Sequence, residues 1–209
     1  MAVGDRKERE REKLRTEILD AAREMFVTEG YRNVSMRKIA DRIEYSPTTI
    51  YTHFRDKAEL LHAVCESTFE ALSASIIDSW RTVRNPLEAL RNGMVAYIDF
   101  GLANPHHYEV VFITPLDKFD GMDAADFDNS LGKRSFEPLL SAVTDCMEEG
   151  LIRPGDVLVT AQTLWAGIHG TTSLLITHNG FPGLDRETLV PAVVDTLIAG
   201  LVTKKGKKL

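Results

Sequence analysis

Seventeen residues, Tyr45–Leu61 (YSPTTIYTHFRDKAELL), set the hydroxyls of Ser46, Thr48, Thr49 and Thr52 around a single proline and follow them with Tyr51, His53, Arg55 and Lys57. A threonine hydroxyl donates or accepts at a base edge, and its methyl meets a thymine methyl. A phenol, an imidazole or an ammonium hydrogen-bonds phosphate oxygens. The chemistry on offer is therefore recognition of a duplex rather than bond making. Other constellations are weaker. The adjacent His106 and His107, with Glu109, point about 100° apart on a helix, and no third ligand is spaced with them, so no metal site is expected. Cys65 follows His62 by three residues, a spacing that suits packing within a helix better than a nucleophile and its base. No acid, base and nucleophile combine, so neither catalytic residues nor a cofactor are expected, and the chain is not expected to be an enzyme.

The elements that must position these groups are helical. Ser46 can cap a helix with Pro47 in its first turn, where the missing N–H is no loss. On that helix Ile50 and Phe54 share one side and predict an anchor. Thr48, Thr52 and Arg55 lie opposite, flanked by Thr49, Tyr51 and His53. Upstream, Leu14, Ile18, Ala22 and Phe26 recur at i, i+4, i+8 and i+12, one apolar stripe. Gly30 suits the positive-φ position after that helix. Ser35 can cap a second helix with Met36, Ile39, Ala40 and Ile43 on its buried face. Asp56 and Glu59 have capping-box spacing at the head of a long helix carrying Leu60, Leu61, Val64, Thr68 and Leu72.

Downstream the helical period continues. A helix starting at Pro86 carries Leu87, Leu90, Met94, Tyr97 and Ile98, and a short one covers Pro105 to Phe112. The acidic, turn-rich stretch Thr114–Lys133 predicts a long loop. Helices are then expected from about Phe136 to Glu149, Asp156 to Thr177 and Arg186 to Val202, with turns at RPGD and HNGFPG. No alternating β-branched run competes, so the fold class is all-α. The KKGKKL tail reads as disordered and solvent-facing.

Composition limits the function classes. The chain has 209 residues and a net charge of −6, unevenly placed. Residues 1–57 hold 13 Lys and Arg against 11 Asp and Glu, a balance of +2; the rest hold 12 against 20, a balance of −8. The overall acidity argues against an unselective coat for nucleic acid and leaves room for a locally basic reading head. No apolar run reaches ~18 residues, so no membrane span is expected. The charged stretch from Asp5 to Arg15 lacks a signal-peptide core. The two cysteines, Cys65 and Cys146, predict reduced buried thiols and a cytoplasmic protein.

The segment SMRKIADRIEYSPTTIYTHFRDKAELLHAV resembles the DNA-binding signature of the TetR family of transcriptional regulators. The resemblance runs from about Glu17 to Val64, and its core is Ile50-Tyr51-Thr52-His53-Phe54 with Lys57 and Leu60. It implies a three-helix helix-turn-helix head over residues 1–55, a larger helical ligand-binding and dimerisation domain over 56–203, a basic tail over 204–209, and a homodimer. By position it implies DNA contacts from Ser35, Arg37 and Lys38 on the second helix. Pro47, Thr48, Thr49 and Thr52 would face bases, and Tyr51, His53 and Lys57 the backbone. Glu44 and Thr48 stand where the family usually carries glycine, and a glutamate at positive φ is strained. Tyr45 replaces a small apolar residue and is expected to pack under the turn.

In the second domain, TLWAGIHGTTSLL (163–175) resembles the Trp-His-Gly motif of one C-terminal domain type in this family, and ANPHHYEVVF (103–112) its sixth-helix segment. Independently, Ala166, Gly167 and Gly170 permit close helix approach, and the last helix is apolar on Leu189, Val193, Leu197 and Leu201, together predicting a dimer interface. A pocket for a largely apolar small molecule is expected from Tyr97, Tyr108, Trp165 and His169, with Trp80, Met94, Phe100 and Phe112 as wall. The implied function is a ligand-responsive repressor on a (pseudo)palindromic double-stranded operator. An activator with the same head is the alternative, and a helical ligand-binding protein or enzyme a weaker one.

Overall fold

The structure, a computed structural model, describes residues 2–113, 131–178 and 185–208. Helices account for nearly all of it: α1 (Ala2–Met25), α2 (Met36–Arg42), α3 (Pro47–Tyr51), α4 (Lys57–Trp80), α5 (Pro86–Ala103), α6 (Pro105–Tyr108), α7 (Leu131–Glu148), α8 (Val157–Thr177) and α9 (Arg186–Ala199). Single π-turns follow α1 (Phe26–Gly30) and α6 (Glu109–Ile113), and a 3₁₀ turn spans Tyr31–Asn33. The chain divides into two compact units, Met1–Thr68 with His106–Asp128, and Phe69–Pro105 with Asn129–Leu209.

The first unit is built on the predicted stripes. Ile18, Ala22, Phe26, Ile39, Ala40, Ile50, Phe54, Leu60, Leu61 and Val64 are all at most 2% exposed. The caps form as the sequence spacing predicts. Ser35 Oγ accepts from Lys38 N at 3.2 Å, Ser46 Oγ from Thr49 N at 3.2 Å, and Asp56 Oδ1 from Glu59 N at 2.8 Å. The Glu59 carboxylate reaches back to Arg55 N at 2.7 Å, closing the box one residue earlier than usual. The π-turn after α1 packs on the one after α6.

A buried cation lies inside this unit. Arg23, only 4% exposed, reaches from α1 to Ser67 Oγ on α4 at 3.1 Å and to Asp20 at 2.7 Å. Beside it Thr68 Oγ1 meets Nδ1 of His107 at 3.3 Å. Burial, then the nearby Arg23 charge, hold the His107 imidazole down at a pKa of about 4. Unfolded histidine titrates near 6.5, so the native ring stays neutral where the unfolded one takes a proton. Stability from this site is complete above about pH 6.5 and is lost as pH falls towards 4. Discounted for the ring's partial solvent access, the loss is about 1–2 kcal/mol. Denaturant unfolding of wild type and His107→Asn at pH 7 and pH 4.5 checks this, and the variant should show the shallower fall.

In the second unit α5 and α8 lie at the centre. Both pack on α7 and α9. Gly93 takes the Trp80 indole, since a Cβ there would lie 2.8 Å from Nε1. Three expectations need correcting. First, α7 begins at Leu131, so Leu131–Lys133 are helical rather than loop, and residues 114–130 of the expected loop lie outside the described residues, as do 179–183 of HNGFPG. The helix runs through Pro138, and the buried Ala142, Val143 and Cys146 offset the lost bond. Second, the last helix stops at Ala199. Leu201 O accepts from Arg153 N, and Thr203 N donates to Leu151 O, so the chain pairs back on the α7–α8 turn. Third, the tail is docked as far as it is described. Gly206 is buried against the Leu151 carbonyl, and Lys205 Nζ donates to Glu149 O.

By length and composition α4 could cross a membrane, at a mean hydropathy of 1.2, but half of that window is buried inside the fold.

Candidate nucleic-acid interface

The α2–α3 unit rests on the capped helices just described. Its turn is a Schellman motif: Tyr45 N donates to Ala40 O at 2.9 Å, Glu44 N to Asp41 O at 3.3 Å, and Glu44 sits at φ +60°. The end of α7 repeats the same pattern with Gly150 at φ +67°, where Leu151 N reaches Cys146 O and Gly150 N reaches Met147 O. The protein thus contains the motif once with glycine and once with glutamate. A Cβ in this region is strained by about 1–2 kcal/mol. Glycine also loses more freedom on folding, so Glu44→Gly should stabilise by about 0.5–1 kcal/mol, visible as a rise in Tm. Tyr45 does not pack under the turn; it is 44% exposed and borders an open cleft, because the backbone bonds of the motif alone close the turn.

α3 is short. Ile50 and Phe54 are its anchor, at 0% and 1% exposure, but the helix ends at Tyr51 and Phe54 is held by its N–H on Ile50 O. Arg55 therefore falls off the recognition face and pairs with Asp56. Pro47 is the first residue of α3, behind the Ser46 cap. Thr48 is exposed, and its hydroxyl has no partner among the described residues. Thr49 shares a hydrogen bond with Ser46 Oγ at 2.9 Å, and Thr52 donates to Thr49 O at 2.6 Å, leaving its oxygen free to accept. Tyr51 is 54% exposed. His53 is half-buried, and desolvation first, then Arg11 and Arg15, hold its pKa below the ordinary imidazole value against the opposing charge of Glu12.

The cations divide. Arg37 is exposed with no carboxylate partner among the described residues. Lys38 Nζ is taken by Glu29 at 3.0 Å and by Asn33 O at 2.9 Å. Lys57 Nζ donates to Tyr31 O at 2.9 Å and Val34 O at 3.0 Å and sits over the Tyr31 ring at 4.1 Å. Sequence spacing could not show that these ammonium groups serve the fold, because, the Glu29 carboxylate apart, their acceptors are backbone carbonyls in and just after the 3₁₀ turn at Tyr31–Asn33.

Of the residues expected to form a ligand pocket, the structure brings Tyr97, Trp165 and His169 together. Trp165 Nε1 donates to Tyr97 Oη at 3.2 Å, Tyr97 Oη meets His169 Nδ1 at 3.4 Å, and the Trp165 and His169 rings stack 5.0 Å apart. Burial keeps His169 below its ordinary pKa. Met94 and Phe100 are buried on the same helix as Tyr97, and Trp80 is taken up by Gly93. Tyr108 and Phe112 pack on each other at 4.8 Å in the other unit. Sequence reasoning missed Phe136, whose ring meets Trp165 edge-on at 6.3 Å.

Two family models match the chain. "Bacterial regulatory proteins, tetR family" covers residues 18–64, and "Tetracyclin repressor-like, C-terminal domain" covers 90–197. The HTH-type transcriptional activator FasR of Mycolicibacterium smegmatis is 33% identical over 102 residues, 49% of this chain and 47% of that protein, so the chain matches about half the length of this relative. The HTH-type transcriptional repressor KstR2 of Mycobacterium tuberculosis is 26% identical over 141 residues, 67% of this chain and 70% of its own. The solved KstR2 structure shares the fold at a TM-score of 0.67 and 22% identity, covering 91% of this chain and 95% of that one. PfmR of Thermus thermophilus, a TetR family transcriptional regulator, does so at 0.70 and 22%, covering 87% and 97%.

Proposed function

Because the chain belongs to the TetR family of bacterial regulatory proteins and is a transcriptional regulator rather than an enzyme, we propose that it binds a (pseudo)palindromic operator as a homodimer and is released by a small, largely apolar effector. Action in the cytoplasm as a repressor is part of the proposal. KstR2, named a repressor, matches more of this chain than FasR, named an activator. The observation that carries the DNA reading is the pairing of a firmly capped, anchored α3 with exposed side chains that the fold leaves unused, Thr48 and Arg37 above all.

Arg37 suits a guanine edge and Thr48 a thymine methyl or either base edge. Tyr51, His53 and the N-terminus of α2 at Ser35 suit phosphate. The dimer would present two copies of α3 to successive major-groove segments on one duplex face. The effector is assigned to the Tyr97–Trp165–His169 cluster, where a polar tip can join an aromatic wall. Its binding would shift the population towards a state with altered α3 spacing, transmitted through α4. A coupling of ~1–3 kcal/mol changes DNA affinity by roughly 5- to 150-fold.

Gel shifts with the gene's own upstream fragment and a random duplex, at several salt concentrations, test this. The upstream fragment should bind more tightly, and Arg37→Ala or Thr48→Ala should relax preference at particular base pairs by about 1–3 kcal/mol. Equal affinity for both fragments would sink the reading.

A further inference from the structure

α1 runs well beyond the core it serves. Its first fully buried residue is Ile18, yet every residue from Arg6 to Lys13 is helical and exposed, so about 12 Å of ordered helix buries almost nothing. Along it Lys7, Arg11 and Arg15 recur at i, i+4 and i+8, a row of like charges on one face that weakens an isolated helix. Arg6 and Lys13 are paired, with Glu10 at 2.8 Å and Glu17 at 3.9 Å, whereas neither Lys7 nor Arg11 has a carboxylate partner among the described residues. Glu8 and Glu12 flank the row at i,i+3 from Arg11 and Arg15, but neither pairs with them among the described residues.

The row runs towards α3. Arg15 lies over the Phe54 ring at 4.5 Å from its centroid. Arg11 lines an open cleft of about 440 Å³ with Leu14, Tyr45, His53 and the paired Glu10, Lys13 and Glu17, and after burial Arg11 and Arg15 lower the His53 pKa while Glu12 raises it. Arg15 is spent on the fold, but Lys7 and Arg11 are not, and two unpaired cations leading to the recognition helix in a chain of net charge −6 match one partner by charge.

We propose that the exposed N-terminal half of α1 is a second DNA contact, with Lys7 and Arg11 gripping phosphates of the duplex beside the segment entered by α3. The assignment rests on the DNA-binding reading above and adds to it a surface outside α2 and α3. Phosphate contacts release counterions, and each contributes about 0.9 to the slope of log affinity against log salt.

The test compares wild type, Lys7→Gln/Arg11→Gln and the charge-keeping Lys7→Arg/Arg11→Lys by gel shift. The probes are the upstream fragment and a 30-bp random duplex (about three helical turns), between about 50 and 200 mM salt. The Gln variant should lose ~1.8 from the slope on both probes, so that its affinity falls about tenfold less than wild type's over that range. The ratio between the probes should hold, and the Arg/Lys variant should match wild type. Both sites are exposed, so thermal melting should not change. An unchanged slope overturns the proposal, as does a loss confined to one probe, which would mean base reading. Failure of wild type to bind either duplex overturns the DNA reading itself, whereas normal wild-type binding with an unaltered Gln variant removes the α1 contact alone.

Discussion

If the proposed homodimer forms through α8, Gly170→Arg should yield a folded monomer. On α8 the residues Val159, Thr163, Ala166, Gly170 and Leu174 recur along one face, and Val159 and Leu174 are 59% and 45% exposed. A Cβ at Gly170 would meet nothing within 4 Å among the described residues. An arginine there is harmless to the protomer and intolerable in a close-packed twofold interface, where its copy opposes it. Gly167 behaves differently, since a Cβ would lie 2.6 Å from Leu197 Cδ1 and press into the α8–α9 packing of the same chain. Sedimentation of Gly170→Arg should give the 23.4 kDa monomer. On the proposed two-half-site operator, affinity should then fall by about 10²-fold or more, because the second half-site would no longer be bound intramolecularly. Gly167→Ala should stay dimeric and melt lower, by about 1–3 kcal/mol. A Gly170→Arg protein of unchanged mass would place the interface elsewhere.

Lys57→Met lowers the stability of the head. The substitution keeps the aliphatic stem and removes the ammonium from the Tyr31 and Val34 carbonyls and from the Tyr31 ring. Charge-assisted hydrogen bonds contribute about 1.5–3 kcal/mol and a cation over an aromatic face about 0.5–1, so a loss of roughly 2–4 kcal/mol is expected. For a chain of this size that is a fall in Tm of about 5–10 °C. Melting in the absence of DNA separates the folding role from a phosphate contact. A variant that melts like wild type and binds every duplex more weakly would return Lys57 to the DNA surface.

These two cases mark the limit of what the sequence discloses. Local devices are legible because they depend on a few neighbouring residues: Ser35, Ser46 and Asp56 cap where their spacing requires, and the stripes through Ile18, Ile39 and Ile50 bury. A long polar side chain is not legible in that way. Lys57 suits a phosphate or a pair of carbonyls equally well, and its acceptors are 23 and 26 residues away. Arg23 is similar, a cation beside an apolar stripe that proves to be buried against Ser67, 44 residues on. Residue type alone points to Tyr97, Trp165 and His169, but their hydrogen bonds span 68 and 72 residues and need the α5–α8 packing to exist. The docked tail is illegible because a glycine among lysines carries no signal that it will be buried.

The aromatic cluster also gives the protein a built-in optical reporter. The chain has two tryptophans, in unlike surroundings. Trp80 keeps its buried N–H, against Gly93, without a hydrogen-bond partner among the described residues. Trp165 donates to a phenol and stacks on an imidazole. Their fluorescence should differ in colour and in quenching, with Trp80 the bluer emitter and Trp165 open to quenching by its histidine. A molecule that enters among Tyr97, Trp165 and His169 would alter one emission and leave the other as an internal standard, so binding could be followed in the unlabelled protein.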